Sequence, residues 1–318
     1  MARVPDETRR DFLVEVAKLY YEQDLSQAEI ARKFAISRSL VSHLLKRSRE
    51  QGIVEIRIND SRSRAAHLQR RLCERYGLTD AVVVPSDPDV ERTKAQVGRA
   101  AAELLEPLLK DTVRIGISWG TTLHQLVSYV RPLSLKGVEI VQLHGGLGSG
   151  NPAIDGFGLA QQLAEKLSGS YRIIQAPIVV QTDELRDMLM REPRIVETLQ
   201  SGAEAGIALF GIGSNLPAIS SLVRTGALTE EESCALLQEG AVGTVCGLHI
   251  DVEGHVFSGS LNRRLVGITF ATLTRIPVRI GLAAGTDKSV AVRAALRGGF
   301  VTALIADEEI AEAIVGSD

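Results

Sequence analysis

The chain has 318 residues, of which 45% are hydrophobic and 24% charged, and its net charge is −3. These values are ordinary for a globular protein of one or two domains, and they exclude a collagen-like, low-complexity or strongly acidic disordered chain. No run approaches the roughly eighteen apolar residues of a membrane-spanning helix, and three scattered cysteines, Cys73, Cys234 and Cys246, do not make a disulfide framework or a zinc ribbon.

The opening MARVPDETRR lacks the apolar core of a signal peptide, so a reducing cytoplasm is the expected compartment. Residues 1–58 carry 11 Lys/Arg against 9 Asp/Glu, an excess too small to argue for nucleic acid by itself. Its placement says more. Residues 6–22 put Phe12, Leu13, Val16, Leu19 and Tyr20 on one helical face. Ser26 with Glu29 three residues later forms a capping box that starts a short helix with Ile30, Ala31 and Phe34 inward. Ser37 can cap a second helix whose inward positions are Val41, Leu44 and Leu45. Two short helices with so brief a joint cross steeply, as in a helix-turn-helix.

The outward face of the second helix carries Arg38, Ser39, Ser42, His43, Lys46 and Arg47, with Ser37 at its start. Arg38 and Ser39, near the N-terminus, can reach base edges, whereas Lys46 and Arg47 suit phosphates. GIVEIRI then turns at Gly52 and alternates as a wing strand would. A winged helix-turn-helix over residues 1–58 that binds operator DNA is the expectation. Operators read this way are usually two-fold related, so at least a dimer is expected.

From residue 80 onward, strand-length apolar runs recur: DAVVVP, VRIGIS, EIVQLHGG, YRIIQAP, AGIALFGIG, VRIGLAAG and VTALIAD. Helix-period segments such as RTKAQVGRAAAELLEPLL and SVAVRAALRG lie between them. This alternation predicts an α/β fold over residues 59–318, a Rossmann-like, doubly wound parallel sheet covered on both faces. Several strands end in glycine turns, at Gly116 to Gly120, Gly145-Gly146, Gly211 to Gly213 and Gly285, where such sheets bind ligands. In ISWGTTLHQL a helix starts near Thr121 or Thr122, so free backbone N–H groups face whatever lies above. GLAAGTDKSVAVRAAL repeats the design and places Lys288 in a first helical turn, where the helix dipole disfavours a cation unless an anion is bound.

The words LYYEQDLSQAEIARKFAISRSLVSHLLKRSREQGIVEIRI, SWGTT, VQLHGGLG, LFGIGS, GAVGTVCGLHID, LNRRLVGIT and AAGTDKSVAVRAAL, in this order, resemble the SorC family of sugar-responsive bacterial transcriptional regulators. The resemblance covers nearly the whole chain. One departure is Ala35, where such motifs usually carry glycine. The resemblance implies an effector domain similar to sugar-phosphate isomerase and deaminase folds, and a tetramer. Gly120, Thr121, Thr122 and Lys288 would hold the phosphate of a phosphorylated sugar or polyol. His144, Gly145 and Gly146 would lie beside the sugar, and Asp251 would accept from its hydroxyls. Trp119 stands where many such loops have a second glycine and is expected to border the sugar. His144 stands where a relative recognising two phosphates would offer arginine, which favours a ligand with one.

The alternative is a sugar-phosphate isomerase or deaminase carrying a DNA-binding module. Such an enzyme needs a placed base, and Asp251 and Asp155 are the carboxylates near glycine turns, neither in a paired constellation. Asp155 is better placed to cap the helix that follows it. GISWG matches G-x-S-x-G literally but without an oxyanion motif before it. His249, Asp251 and Glu253 alternate along a strand, yet no H-E-x-x-H or cysteine partner supports a metal. No catalytic residue, cofactor or metal is therefore assigned.

Overall fold

The computed structural model describes residues 10–54, 61–148, 151 and 153–316. The chain divides into two compact units, residues 1–60 and 61–318.

In the first unit α1 (Arg10–Tyr21), α2 (Gln27–Phe34) and α3 (Arg38–Glu50) form a helical core. Leu13, Val16, Ile30, Val41 and Leu44 are buried there, and Phe12 meets Phe34 edge-on with ring centroids 5.1 Å apart. Each such buried aliphatic side chain contributes roughly 1.5–3 kcal/mol. Ser26 and Glu29 form both halves of the capping box at α2. Ser37 caps α3 by accepting from the Leu40 N–H at 3.1 Å. The joint between α2 and α3 is Ala35, at φ 52° and ψ 41°. Left-handed backbone costs alanine roughly 1–2 kcal/mol, the reason glycine is the usual choice. The chain turns at Gly52 (φ 67°). Most of the predicted wing, from residue 55 onward, lies outside the described residues.

The second unit begins with α4 (Ser61–Tyr76), β1 (Asp80–Val84), α5 (Val90–Leu105), β2 (Arg114–Ile117), α6 (Thr121–Tyr129), β3 (Glu139–Gln142), α7 (Gly156–Lys166) and β4 (Ser170–Arg172). It continues with α8 (Asp183–Leu189), α9 (Pro193–Ala203), β5 (Ile207–Ser214), α10 (Ser221–Arg224), α11 (Glu230–Gln238), β6 (Ala241–Val245) and β7 (Leu248–Asp251). Then follow α12 (Ser260–Arg263), α13 (Phe270–Leu273), β8 (Val278–Leu282), α14 (Ser289–Arg297), β9 (Ala303–Asp307) and α15 (Glu308–Val315).

Seven strands pair in parallel in the order β1-β9-β8-β5-β2-β3-β4. They are the seven apolar runs of the sequence. The alternation along β5 shows why the sheet is covered twice: Ile207 and Leu209 join one buried cluster with α5, α6 and α7, and Ala208 and Phe210 join the other with α4, α14 and α15. A hairpin of β6 and β7 extends from the end of β5, antiparallel to it. Its two-residue turn, Cys246-Gly247, has φ of 49° and 84°, both positive as the twist of a tight hairpin requires. Gly98 lets α5 lie directly on α6; a Cβ there would come within 2.7 Å of the Gln125 backbone. That contact fixes α6, whose N-terminus forms part of the site.

Candidate functional site

The C-terminal ends of the parallel strands open on a cleft with two chambers. The inner chamber, about 50 Å³, is walled by residues 119–123, Gly211 to Gly213, Thr244 and Cys246. The outer one, about 430 Å³, is walled by the β1–α5 turn, the start of α5, the β8–α14 turn and the start of α15. They share Thr121, Ile219, Arg224 and Lys288.

At this junction β2 ends and α6 begins. Gly120, at φ 131° and ψ 160°, occupies backbone that only glycine adopts freely, and a Cβ there would face open space. The Gly120 N–H donates to the Ile154 carbonyl, and the first intrahelical bond runs from His124 N–H to the Gly120 carbonyl. The N–H groups of Thr121 and Thr122 are therefore first-turn donors that the helix leaves unused. Their direction and the helix dipole favour an anion.

Lys288 reaches the junction from the other side. It is the N-terminal cap residue of α14 and ends a 3₁₀ turn over Thr286–Lys288, one position earlier than the expected first helical turn. Asp307, almost fully buried, secures that turn, accepting from the Gly285 N–H at 2.7 Å, the Ser86 hydroxyl and the Ile310 N–H. The Lys288 side chain keeps some solvent contact but is surrounded by protein. Burial above all, then the charges of Lys94 and Arg224, lower its pKa to about 8, against the opposing pull of Asp307 and Glu91. Three cations thus gather beside a helix N-terminus, at a cost an anion would offset.

Trp119 borders the inner chamber, 7% exposed, and its Nε1–H donates to the Ser221 hydroxyl of α10 at 3.2 Å. The indole stands edge-on to His144, ring centroids 4.4 Å apart. His144 itself is wholly buried and lines neither chamber. Burial lowers its pKa to about 4 against the bond to Gly145, so the ring is neutral. The Gly145 carbonyl can only accept, so Nδ1 carries the hydrogen and Nε2, 2.9 Å from Ser118 Oγ, accepts from that hydroxyl. The G-x-S-x-G serine therefore has a histidine partner, but both are buried and the ring's other nitrogen bonds the Gly145 carbonyl, not a carboxylate. The pair holds the floor beneath Trp119.

Gly145 and Gly146 are also structural. Their N–H groups donate to the Val266 and Ala176 carbonyls, and a Cβ on Gly145 would lie 2.5 Å from the Ala176 and Pro177 carbonyl oxygens. Asp251 lies outside both chambers; its Oδ1 accepts from the Glu253 and His255 N–H groups and closes the turn after β7. The expected sugar side, His144, Gly145, Gly146 and Asp251, is thus not brought to the cleft. Asp155 stands at the N-cap of α7, but its side chain accepts from Gly148 N–H and does not cap the helix. His249 is buried with Nδ1 on Asn215, away from Asp251.

Sequence reading missed Arg224 and Lys94. Arg224 ends a four-residue helix with no periodic signal, and Lys94 looks like a solvated lysine on an amphipathic helix. Gly98, one turn beyond Lys94 on α5, is the sequence mark of a close approach on this face, and in the structure a Cβ there would meet Gln125 of α6.

On α3 the predicted face is outward. Ser37, Arg38, Ser39, Ser42, His43 and Lys46 are exposed and Arg47 is half-buried. Lys46 lies 3.7 Å from Glu50, both largely in solvent. Arg49, also exposed, extends the basic face beyond what was singled out.

The family described as "Putative sugar-binding domain" matches residues 60–316, and a helix-turn-helix domain family matches residues 14–66. The deoxyribonucleoside regulator of Bacillus subtilis is 34% identical over 98% of this chain and 99% of its own. The sorbitol operon regulator of Klebsiella pneumoniae is 31% identical over 95% and 97%. The crystal structure of full-length SorC, that sorbitol operon regulator, superposes with a TM-score of 0.73 over 96% of this chain and 98% of its own. No helix among the described residues is long and apolar enough to cross a membrane.

Proposed function

The chain belongs to the SorC family of helix-turn-helix transcriptional regulators with a sugar-binding domain, and we propose that its effector is a phosphorylated sugar or polyol. The observation that carries the proposal is the junction of Thr121, Thr122 and Lys288, where a helix start with unused donors, two threonines and a crowded lysine line one chamber. Gly120 admits the phosphate to the backbone, and Arg224 adds a second cation. Two relatives are named for sorbitol and for deoxyribonucleosides, which accords with control of a carbohydrate-metabolism operon.

In this reading α3 enters the major groove. Arg38 and Ser39, with Ser42 and His43, address base edges; Ser37, Lys46 and Arg47 hold backbone phosphates. The protein acts in the cytoplasm as a dimer or tetramer, matching two-fold operators. The effector changes DNA affinity by binding one arrangement of that oligomer better than another. The test is a thermal-shift titration with ribose 5-phosphate and with ribose, since a ligand of the folded state raises the melting temperature. Stabilisation by the phosphate ester but not the free sugar is expected. Equal effects across a panel of such pairs would remove the phosphate from the proposal.

A further inference from the structure

The helix that opens the second unit, α4, carries a charge pattern unlike the rest of that unit. Its 16 residues hold five arginines against one glutamate, whereas residues 77–318 hold 20 Lys/Arg against 28 Asp/Glu. An arginine-rich helix on an otherwise acidic body suits a partner of negative charge. Packing uses only the apolar side of α4: Leu68 and Leu72 are buried toward β1 and α15.

The other side is basic and exposed. Arg64, His67 and Arg71 stand at i, i+3 and i+7 in one row. Arg70 lies beside them, its Nη2 3.3 Å from His67 Nδ1. Arg64 meets Glu312 of α15, but among the described residues neither Arg70 nor Arg71 meets a carboxylate. A merely solvated helix face mixes signs, as α5 does where Arg99 bonds Glu103 one turn on at 3.1 Å. The row on α4 keeps one sign over two turns. No acidic residue stands in its first turn either, where the helix dipole favours one.

Covalent reach ties this row to the operator. Ser61 follows Val54 of the helix-turn-helix unit by seven residues, so the chain holds the two within about 25 Å of each other. From Ser61 to Arg71 the helix adds about 15 Å. Each strand of a duplex presents a phosphate about every 3.4 Å, so phosphates occur throughout that reach. Resting on DNA binding by α3, we propose that α4 is a second DNA-contacting surface, with Arg70 and Arg71 on backbone phosphates flanking the segment that α3 reads. A guanidinium fork matches phosphate oxygens two at a time and carries no base preference. The α4 row therefore adds affinity and salt dependence without adding sequence discrimination.

The experiment measures binding of the full chain to a mixed-sequence DNA duplex by fluorescence anisotropy, from about 50 to 200 mM salt. Arg70→Gln with Arg71→Gln should reduce the slope of log affinity against log salt by about 1.8, two contacts at about 0.9 each. The affinity lost across that salt range then shrinks about twelvefold. Both side chains are exposed, so the melting temperature should not move. Arg99→Gln with Arg131→Gln removes the same charge from exposed positions elsewhere and should leave the slope as it was. The proposal is overturned if the α4 variant keeps the slope while Lys46→Ala on α3 lowers it, or if the Arg99/Arg131 variant lowers it equally, which would assign the effect to net charge. It is overturned too if the α4 variant instead changes the oligomeric state in sedimentation without DNA, since the row would then join copies of this chain. Unchanged slopes in both the α4 and Lys46 variants would remove α3 as well, a failure of the underlying reading distinct from that of α4 alone.

Discussion

Two groups of cations mark the two units of this chain, and they sit in opposite surroundings. Lys46 on α3 is 68% exposed and shares solvent with Glu50, whereas Lys288 is enclosed with Lys94 and Arg224 for neighbours. Exposed charges act through bulk water, are screened by salt, and add up along a polyanion such as DNA. Enclosed ones act at short range in a weaker dielectric, so each well-formed contact with a single anion is worth more. Salt should therefore tune the first group and pH the second.

The largest expected effect tests the enclosed group. Charge-assisted hydrogen bonds contribute roughly 1.5–3 kcal/mol each, so a sugar phosphate should bind about a hundredfold or more tighter than its free sugar. Lys288→Ala with Thr122→Val should erase most of that preference while DNA binding without ligand persists. Trp119, the only tryptophan, borders the cleft, so its fluorescence reads the titration. A double variant that still separates sugar from sugar phosphate would leave Gly120-Thr121-Thr122 as a turn and nothing more.

Next in size is base readout by the exposed group. Arg38→Ala should lose about 1–3 kcal/mol of discrimination at the bases it meets, measured as a flattened preference across operator variants. Lys46→Ala and Arg47→Ala should instead weaken binding to all sequences alike. Each should reduce the slope of log affinity against log salt by about 0.9. Gel-shift titrations at several salt concentrations separate the two behaviours, and unchanged slopes would remove α3 from the interface.

The pH response follows from Lys288 alone. Its pKa of about 8 lies below the ordinary 10.5, chiefly through burial and then through Lys94 and Arg224, with Asp307 and Glu91 opposing. A phosphate needs the ammonium form, so affinity should hold up to about pH 8 and then fall by as much as about tenfold per pH unit. Without ligand the sign reverses: a lysine lowered by folding destabilises while charged, so stability should rise as pH climbs from about 8 toward 10.5. Calorimetric titrations at pH 7.5 and 9 check the first; an affinity that does not change would place Lys288 outside the contact.

How much of this was legible beforehand depends on how local each feature is. The capping box at Ser26, the inward stripe of α3 and the seven β-branched strands are encoded within a few residues, and all are present. The β6–β7 hairpin went unread because Gly243 interrupts β6, β7 is only four residues long, and Cys246-Gly247 lacks the Asn or Asp that usually marks such a turn. The junction was legible at Gly120 and Lys288 because each lies in its own strand-turn-helix unit. Arg224 and Lys94 join it only through tertiary packing. His144, Gly145 and Asp251 look like ligand groups by type, and only close packing shows that they serve the floor and a turn. Residue type reveals chemical capacity; burial decides its use.

The smallest effect compares the same strain in both units. Ala35 at φ 52° and Cys246 at φ 49° are both non-glycine residues in left-handed backbone. At Ala35 the side chain is exposed, so glycine removes strain of roughly 1–2 kcal/mol and loses only about 0.4–1 kcal/mol to the freer unfolded chain. Ala35→Gly should therefore stabilise the helix-turn-helix by about 0.5–1 kcal/mol. Amide hydrogen exchange of α2 and α3 in the full chain would report this as severalfold slower exchange, with operator affinity unchanged. Cys246 is buried against the floor of the cleft, so Cys246→Gly adds a lost side chain to the same relief. Emptying a buried site of that size costs at least as much as the strain it removes. Cys246→Gly should thus be neutral or destabilising, read by denaturant unfolding of the effector domain. A gain at Cys246 equal to that at Ala35 would mean that strain, not packing, dominates at both turns.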